Sequence, residues 1–228
     1  MKKIIIIGSG GHARVILSEI LLLKKFKVLG FIDDYLPEKY VVDKEKKLVN
    51  LGKIRNISSI IGNDTYGIIG VGENHLRKKI VNQIKKIKKN FKWATIISRN
   101  AIVAKKVSVG DGTVVIPGSV INNGTKIGNH CIINTRSSIG HDNFFSDFSS
   151  SGPGVTVGGG VFVGESSYLG IGSTIIQGIK IMENTIIGGH SFVNKNCKKN
   201  SVYFGIPAKR IKSRKSKSKY LKINQKRN

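Results

Sequence analysis

Two places in this 228-residue sequence carry residue types and spacings suited to chemistry. The first is Gly8-Ser9-Gly10-Gly11-His12-Ala13, which fits the pattern G-x-G-x-x-A between an apolar run and a helical one. Glycines there let a backbone approach a phosphate, and the first turn of a helix offers free N–H groups and a positive dipole end. Asp33 and Asp34 close the next apolar run, where an acid would meet a ribose hydroxyl. Plainer readings stand beside these: His12 as a helix-start residue, and the two aspartates as a solvated turn.

The second place is Gly140-His141-Asp142. An imidazole titrates near neutral pH and can take the proton of an attacking amine or hydroxyl. In an extended segment neighbouring side chains diverge, so Asp142 can assist the ring only if the chain turns here. The alternative is a surface histidine on a corner, which is the reading for His130 and His190. A zinc centre needs ligands converging on one point. His130 and His141 are eleven residues apart, in different hexads of a six-residue repeat and on different faces of it, and no metal is expected.

The elements that must position these residues follow two periods. Up to about residue 95 strands alternate with helices. Lys3 to Gly8 is a continuous apolar strand, His12 to Lys25 has apolar residues at helical spacing (Val15, Ile16, Ile20, Leu23), and Lys27 to Ile32 and Tyr66 to Val71 read as further strands. A basic helix follows from Asn74 to Lys89. The pattern predicts a small Rossmann-like parallel sheet in an α/β domain over residues 1–95.

From Ile97 the period is six. Of the seventeen residues at this spacing from Ile97 to Val193, sixteen are apolar and only Ser151 is not, and eight of the residues that follow them are glycine. One inward aliphatic per six residues, with small residues beside it for tight corners, describes a coil whose apolar face is buried only by stacking on its neighbours. This places a parallel β-helix over residues 96–211. An ordinary sandwich would show period two instead.

Composition bounds the rest. Hydrophobic residues make up 39% of the chain, and the two cysteines, Cys131 and Cys197, have no paired spacing, which fits a reducing compartment. The run Ile4 to Ile7 is too short for a signal peptide, and no stretch approaches a bilayer span, so a soluble cytoplasmic protein is expected. The net charge of +26 predicts attraction to anions. Its lysine clusters, Lys78 to Lys92 and Lys209 to Arg227, lack interleaved aromatics apart from Tyr220, so specific nucleic-acid binding is not expected. Residues 212–228 read as a disordered, dispensable basic tail that gives weak association with anionic membrane at low salt.

The hexads resemble the left-handed parallel β-helix of hexapeptide acyltransferases. The whole arrangement resembles the sialic acid O-acetyltransferase and UDP-4-amino-sugar N-acetyltransferase family, the NeuD/PglD type. The resemblance rests on Gly8 to His12, Phe31-Ile-Asp-Asp34, Gly72-Glu-Asn-His-Leu-Arg77, Ile133 to Asp142, Leu169 to Ser173, and Gly205 to Arg210. It implies an acetyl-CoA-dependent acetyltransferase acting on a nucleotide-linked amino sugar in bacterial surface-glycan synthesis. O-acetylation of sialic acid, or a non-catalytic trimeric sugar-nucleotide-binding scaffold, are the alternatives. It further implies a homotrimer with active sites between subunits, and assigns Gly10, Gly11, His12, Asp33, Asp34 and Gly72 to the acceptor. His141 becomes the general base, with Asp142 where the family has glutamate. Ser150, nine residues on, replaces a second family histidine beside the thioester. Ile171 and Gly189 match positions along the pantetheine path. A dinucleotide-dependent oxidoreductase would use the same glycine loop, but no second domain suits a hydride acceptor.

Overall fold

The computed structural model describes residues 1–215 and 217–221. Strand β1 (Lys2–Ile7) is a run of isoleucines because both its faces are covered. Ile4 and Ile6 pack on helix α1 (Gly11–Leu23), whereas Ile5 and Ile7 face the other side, toward helices α2 (Ile57–Ile60) and α3 (Asn74–Ile87). Strands β2 (Phe26–Ile32), β5 (Thr65–Ile69) and β6 (Lys92–Trp93) complete a parallel sheet of order β2-β1-β5-β6. A hairpin of β3 (Val41–Asp43) and β4 (Leu48–Val49), which no hydrophobic period announces, sits between β2 and α2. In α1 the buried side is formed by Ile16, Leu17 and Ile20, and Val15 turns outward. Among the described residues no helix is long and apolar enough to cross a membrane.

From Ile96 the chain winds into a left-handed parallel β-helix. Seventeen two-residue strands, β7 (Ile96–Ile97) to β23 (Phe192–Val193), lie on three faces in turn. Each strand pairs in parallel with the one a full coil later, as Val114–Val115 does with Ile132–Ile133. The inward aliphatics from Val115 to Val193 form one buried column. Ser151 interrupts it without leaving a polar atom stranded: its hydroxyl bonds Ser137 Oγ at 2.8 Å and accepts from Asn134 N at 3.1 Å. A second six-residue register carries hydroxyls at the corners. Thr113, Ser119, Thr125 and Ser167 each donate to a backbone carbonyl of the next coil, at 2.7–2.9 Å.

The corners themselves are left-handed. Every sixth residue from Gly112 to His190 has φ between +52° and +76°. Half of these fourteen positions are glycine and the rest include His130, Asp142, Phe148 and His190. This is conformational strain for a non-glycine residue, least for aspartate and asparagine, and the stacked coils on either side enforce it.

The expectation of a disordered tail is wrong over the part of it that the structure describes. Strand β24 (Ser201–Gly205) and strand β25 (Ala208–Ser213) form an antiparallel hairpin on the last coil, with Lys212 and Ser213 paired to Val202 and Ser201. Arg214 is buried and bonds Asn184 and the Ser218 carbonyl. The chain then returns to α3, where Tyr220 stacks on Tyr168 at 4.5 Å. Three well-placed anchors outweigh a polar composition that by itself favours disorder. Ser216 and residues 222–228 lie outside the described residues.

The α/β layer rests on one face of the β-helix through Arg77. Its guanidinium is 1% exposed and reaches six acceptors: Nε donates to His130 O at 2.7 Å, Nη1 to Val71 O at 3.0 Å and Gly72 O at 2.9 Å, and Nη2 to Asn74 Oδ1 at 2.7 Å, Phe148 O at 3.1 Å and Ser150 Oγ at 2.8 Å. Two imidazoles share this seam. Burial, aided by the Arg77 charge, pushes His12 down to about 4, and the same two causes in the same order push His130 down to about 4. Both rings are neutral in the folded protein, whereas in the unfolded chain they take up protons near 6.5. Between those values the unfolded chain binds more protons, so stability is complete above about pH 6.5 and declines as pH falls toward 4. Denaturant unfolding between pH 7.5 and 4.5 should show that decline, shallower in His130→Phe. A flat profile in the unsubstituted protein would contradict the assignment.

Candidate active site and acceptor crevice

The carboxyl ends of β1, β2 and β5 form a topological switch point, where open α/β sheets have their binding crevice: the chain leaves β1 toward one side of the sheet and later returns to β5 on the other. Gly8 has φ +94°, and a Cβ on it would lie 2.8 Å from Val71 Cγ2, so the β1–α1 and β5–α3 loops meet here. Gly10 is the extended N-cap of α1 and has no capping side chain. Among the described residues, a Cβ added at Gly10 or Gly11 would meet nothing within 4 Å. The start of α1 therefore has room beside its backbone, as an anion-binding turn requires.

The other residues expected at the acceptor are more deeply committed to the fold than the sequence suggests. Asp33 is buried, taking the Ser9 hydroxyl at 2.5 Å and the Tyr35 amide at 2.9 Å. It pins the glycine loop to β2 and still has lone pairs to spare. Asp34 is exposed and accepts from Ile54 N at 2.8 Å, capping the turn that leads into α2. His12 turns inward: its Nε2 is buried with no hydrogen-bond partner among the described residues. Held neutral, it can donate an N–H but brings no positive charge to a phosphate. The Gly72 carbonyl accepts from Arg77 and, at 3.2 Å, from the Tyr220 hydroxyl.

His141 and Asp142 sit on the corner between the second and third faces, exposed by 71% and 70% in their side chains. Asp142 takes the left-handed position, φ +55°, and this turn brings its Oδ2 to 2.8 Å from His141 Nδ1. The ring lies across Gly159 of the next coil, where a Cβ would come within 2.6 Å of Nε2. A carboxylate on Nδ1 holds the tautomer with its proton there and leaves the Nε2 lone pair facing outward. That is the arrangement of a general base.

Ile171 and Gly189 are brought together on the opposite edge of the second face, on successive coils. A Cβ on Gly189 would stand 3.1 Å from Ile171 Cγ2. Ile171 is 53% exposed, and neither residue's N–H has a backbone acceptor among the described residues. Within one chain this corner and that of His141 are separated by the width of the face.

Ser150 is a correction. Its hydroxyl is 2% exposed under α3, donating to Asn74 Oδ1 at 2.7 Å and accepting from Arg77, so it is not available to a thioester. His130 is also more buried than a surface corner implies: it stacks on Phe148 and meets Trp93 edge-on. His190 is exposed at its corner. Among the described residues no group of three or more His, Cys, Asp or Glu is gathered for a metal. Arg77 and Asn74 have no role that the sequence alone suggests, although their i, i+3 spacing places both on one side of a helix.

Residues 3–84 match the family model described as the PglD N-terminal domain. A UDP-N-acetylbacillosamine N-acetyltransferase of Bacillus subtilis (strain 168) is 32% identical over 118 residues, 51% of this chain and 52% of that protein. The match thus spans about half the length of the curated relative. The acetyltransferase domain of PglB from Neisseria gonorrhoeae FA1090 has a TM-score of 0.85 at 23% identity, covering 92% of this chain and 100% of its own. PerB from Caulobacter crescentus, solved with CoA and GDP-perosamine, has a TM-score of 0.81 at 26% identity, over 92% and 97%. The glycine loop and the aspartates after β2 agree with the match to the PglD N-terminal domain, and the hexads agree with the β-helix fold shared with the PglB and PerB structures.

Proposed function

We propose that the protein is an acetyl-CoA-dependent acetyltransferase acting on the amino group of a nucleotide-linked amino sugar. The observation that carries this reading is His141, with Nδ1 held by Asp142 and Nε2 free above Gly159. The crevice at Gly10 and Gly11 receives the phosphates, and the sugar extends toward the β-helix. As the acceptor nitrogen bonds to the acetyl carbon, its proton passes to His141 Nε2. The carbon–sulfur bond then breaks and the CoA thiolate leaves. Asp142 steadies the imidazolium formed in that step. The PerB complex with CoA and GDP-perosamine and the Bacillus subtilis N-acetyltransferase support this choice of chemistry.

The two exposed corners lie apart in one chain, which supports a homotrimer in which His141 of one subunit faces Ile171 and Gly189 of the next. A cytoplasmic setting fits the two free cysteines. The net charge of +26 supports weak, salt-sensitive attraction to anionic membrane.

A thiol-release assay with acetyl-CoA against UDP-, GDP- and dTDP-linked 4-amino sugars and free sialic acid tests the acceptor class, and turnover only with sialic acid would refute it. His141→Ala should lower kcat by roughly 10²–10⁴ with acetyl-CoA affinity kept, nearer the lower figure for an amine, part of which is already unprotonated. Asp142→Ala should cost about tenfold in kcat. The space around Gly11 lets Gly11→Val fold normally while its side chain crowds the phosphates, so acceptor KM should rise with acetyl-CoA KM unchanged. A fully active monomer in sedimentation equilibrium would remove the trimer.

A further inference from the structure

The segment after β25 does something specific at the crevice. Its described residues, Arg214, Lys215 and 217–221, lead from a buried guanidinium to the β5–α3 loop, where Tyr220 and Leu221 meet Gly72 and Glu73. Its attachment is built from five polar contacts. The Tyr220 hydroxyl donates to Gly72 O at 3.2 Å and accepts from Asn74 N at 3.1 Å. The Tyr220 and Leu221 amides both donate to Glu73 Oε1, at 3.0 and 2.6 Å. Arg214 holds the turn through Ser218 O at 2.7 Å, and its guanidinium lies 5.4 Å from the Tyr220 ring centre. The same ring stacks on Tyr168 of the β-helix.

This attachment acts on the crevice in two ways. Glu73 is a buried carboxylate at the N-cap of α3, next to a region suited to phosphates. The two amides of the segment both donate to its Oε1, and His75 Nδ1 lies 3.5 Å from its Oε2, so the segment holds this carboxylate in place beside Gly72. Leu221 Cδ1 stands 3.1 Å from where a Cβ of Gly72 would be, so the bare backbone at Gly72 is covered by a leucine. The same packing leaves Gly10 and Gly11 open, which is how a wall behaves and not a plug.

We propose that this strap is a wall of the acceptor crevice and a specificity-determining element, with Tyr220 and Leu221 taking the place at Gly72 where the acceptor would otherwise meet backbone. The proposal rests on the reading that the crevice holds the nucleotide-linked acceptor. It assigns to Tyr220 and Leu221 a positioning role, since neither approaches His141 or the reacting carbon.

Two shortened proteins separate the strap from the residues beyond it. A chain ending at Leu221 keeps the strap and should match the full chain. A chain ending at Lys215 keeps the Arg214 anchor and loses the strap; its KM for the acceptor should rise about tenfold, with kcat and acetyl-CoA KM within about twofold. Tyr220→Phe, which keeps the ring and removes the bonds to Gly72 and Asn74, should raise acceptor KM about threefold, and it preserves the test if the shorter chain misfolds. Unchanged or lowered acceptor KM in the chain ending at Lys215 would overturn the proposal, the second outcome marking a plug. A loss already complete in the chain ending at Leu221 would overturn it too. Gly11→Val in the full chain checks the underlying reading separately. If it leaves acceptor KM unchanged while loss of the strap raises it, the phosphate site is wrong and the wall stands.

Discussion

A single buried cation organises this molecule. Among the described residues Arg77 has no carboxylate as a hydrogen-bond partner, and its cost of burial is offset by six acceptors drawn from both layers. Two of those are carbonyls of the β5–α3 loop, and three belong to the β-helix, at His130, Phe148 and Ser150. Remove any one and the rest remain, but remove the guanidinium and several buried acceptors lose their partner together. The crevice loop is thereby fixed in distance and angle to the coils that carry His141. In the proposed function, an acceptor gripped at one end then presents its reacting nitrogen at a defined place, which is where much of an enzyme's rate enhancement lies.

The second constraint is the left-handed corner repeated every six residues. It shapes the coil and also makes a carboxylate–imidazole pair. At most corners the side chain is glycine or a solvent-facing polar group. At Asp142 the same φ folds an aspartate back onto the preceding histidine, so the fold itself supplies the carboxylate–imidazole contact without a third element. Gly159 on the next coil leaves the space in which the ring lies. The β-helix contributes rigidity as well: the inward residues around His141, Ile133, Ile139 and Phe145, are fully buried in its core, and rigid elements hold geometry better than loops do.

Much of this is legible in the residues. The hexads from Ile97 to Val193 give the coils directly, because one inward aliphatic per six residues has few other solutions. The isoleucines of β1 announce a strand covered on both sides. Contacts across long separations are not legible in this way. Ser150 lies 73 residues from Arg77, and no local pattern says that its hydroxyl is engaged there and not on a thioester. His12 follows a glycine loop as a ligand would, yet its ring faces the seam. The tail misleads through composition: lysine and serine dominate it, while three spaced residues, Arg214, Tyr220 and Leu221, decide where it goes. Asp142 is legible only conditionally, since its value depends on a turn that a hexad corner supplies.

In the proposed mechanism acetyl transfer takes place between corners of neighbouring chains, His141 from one and the Ile171–Gly189 edge from the next. Complementation tests this most directly. His141→Ala removes the base, and Gly189→Val crowds the cofactor edge; each alone should be nearly inactive. Mixed assemblies formed from equal amounts of the two chains should recover activity, because about a quarter of the interfaces in a random trimer would pair an intact histidine with an intact edge. Mixed trimers that form, as judged by mass, and yet stay as inactive as either parent would place both halves of the site in a single chain and contradict the account.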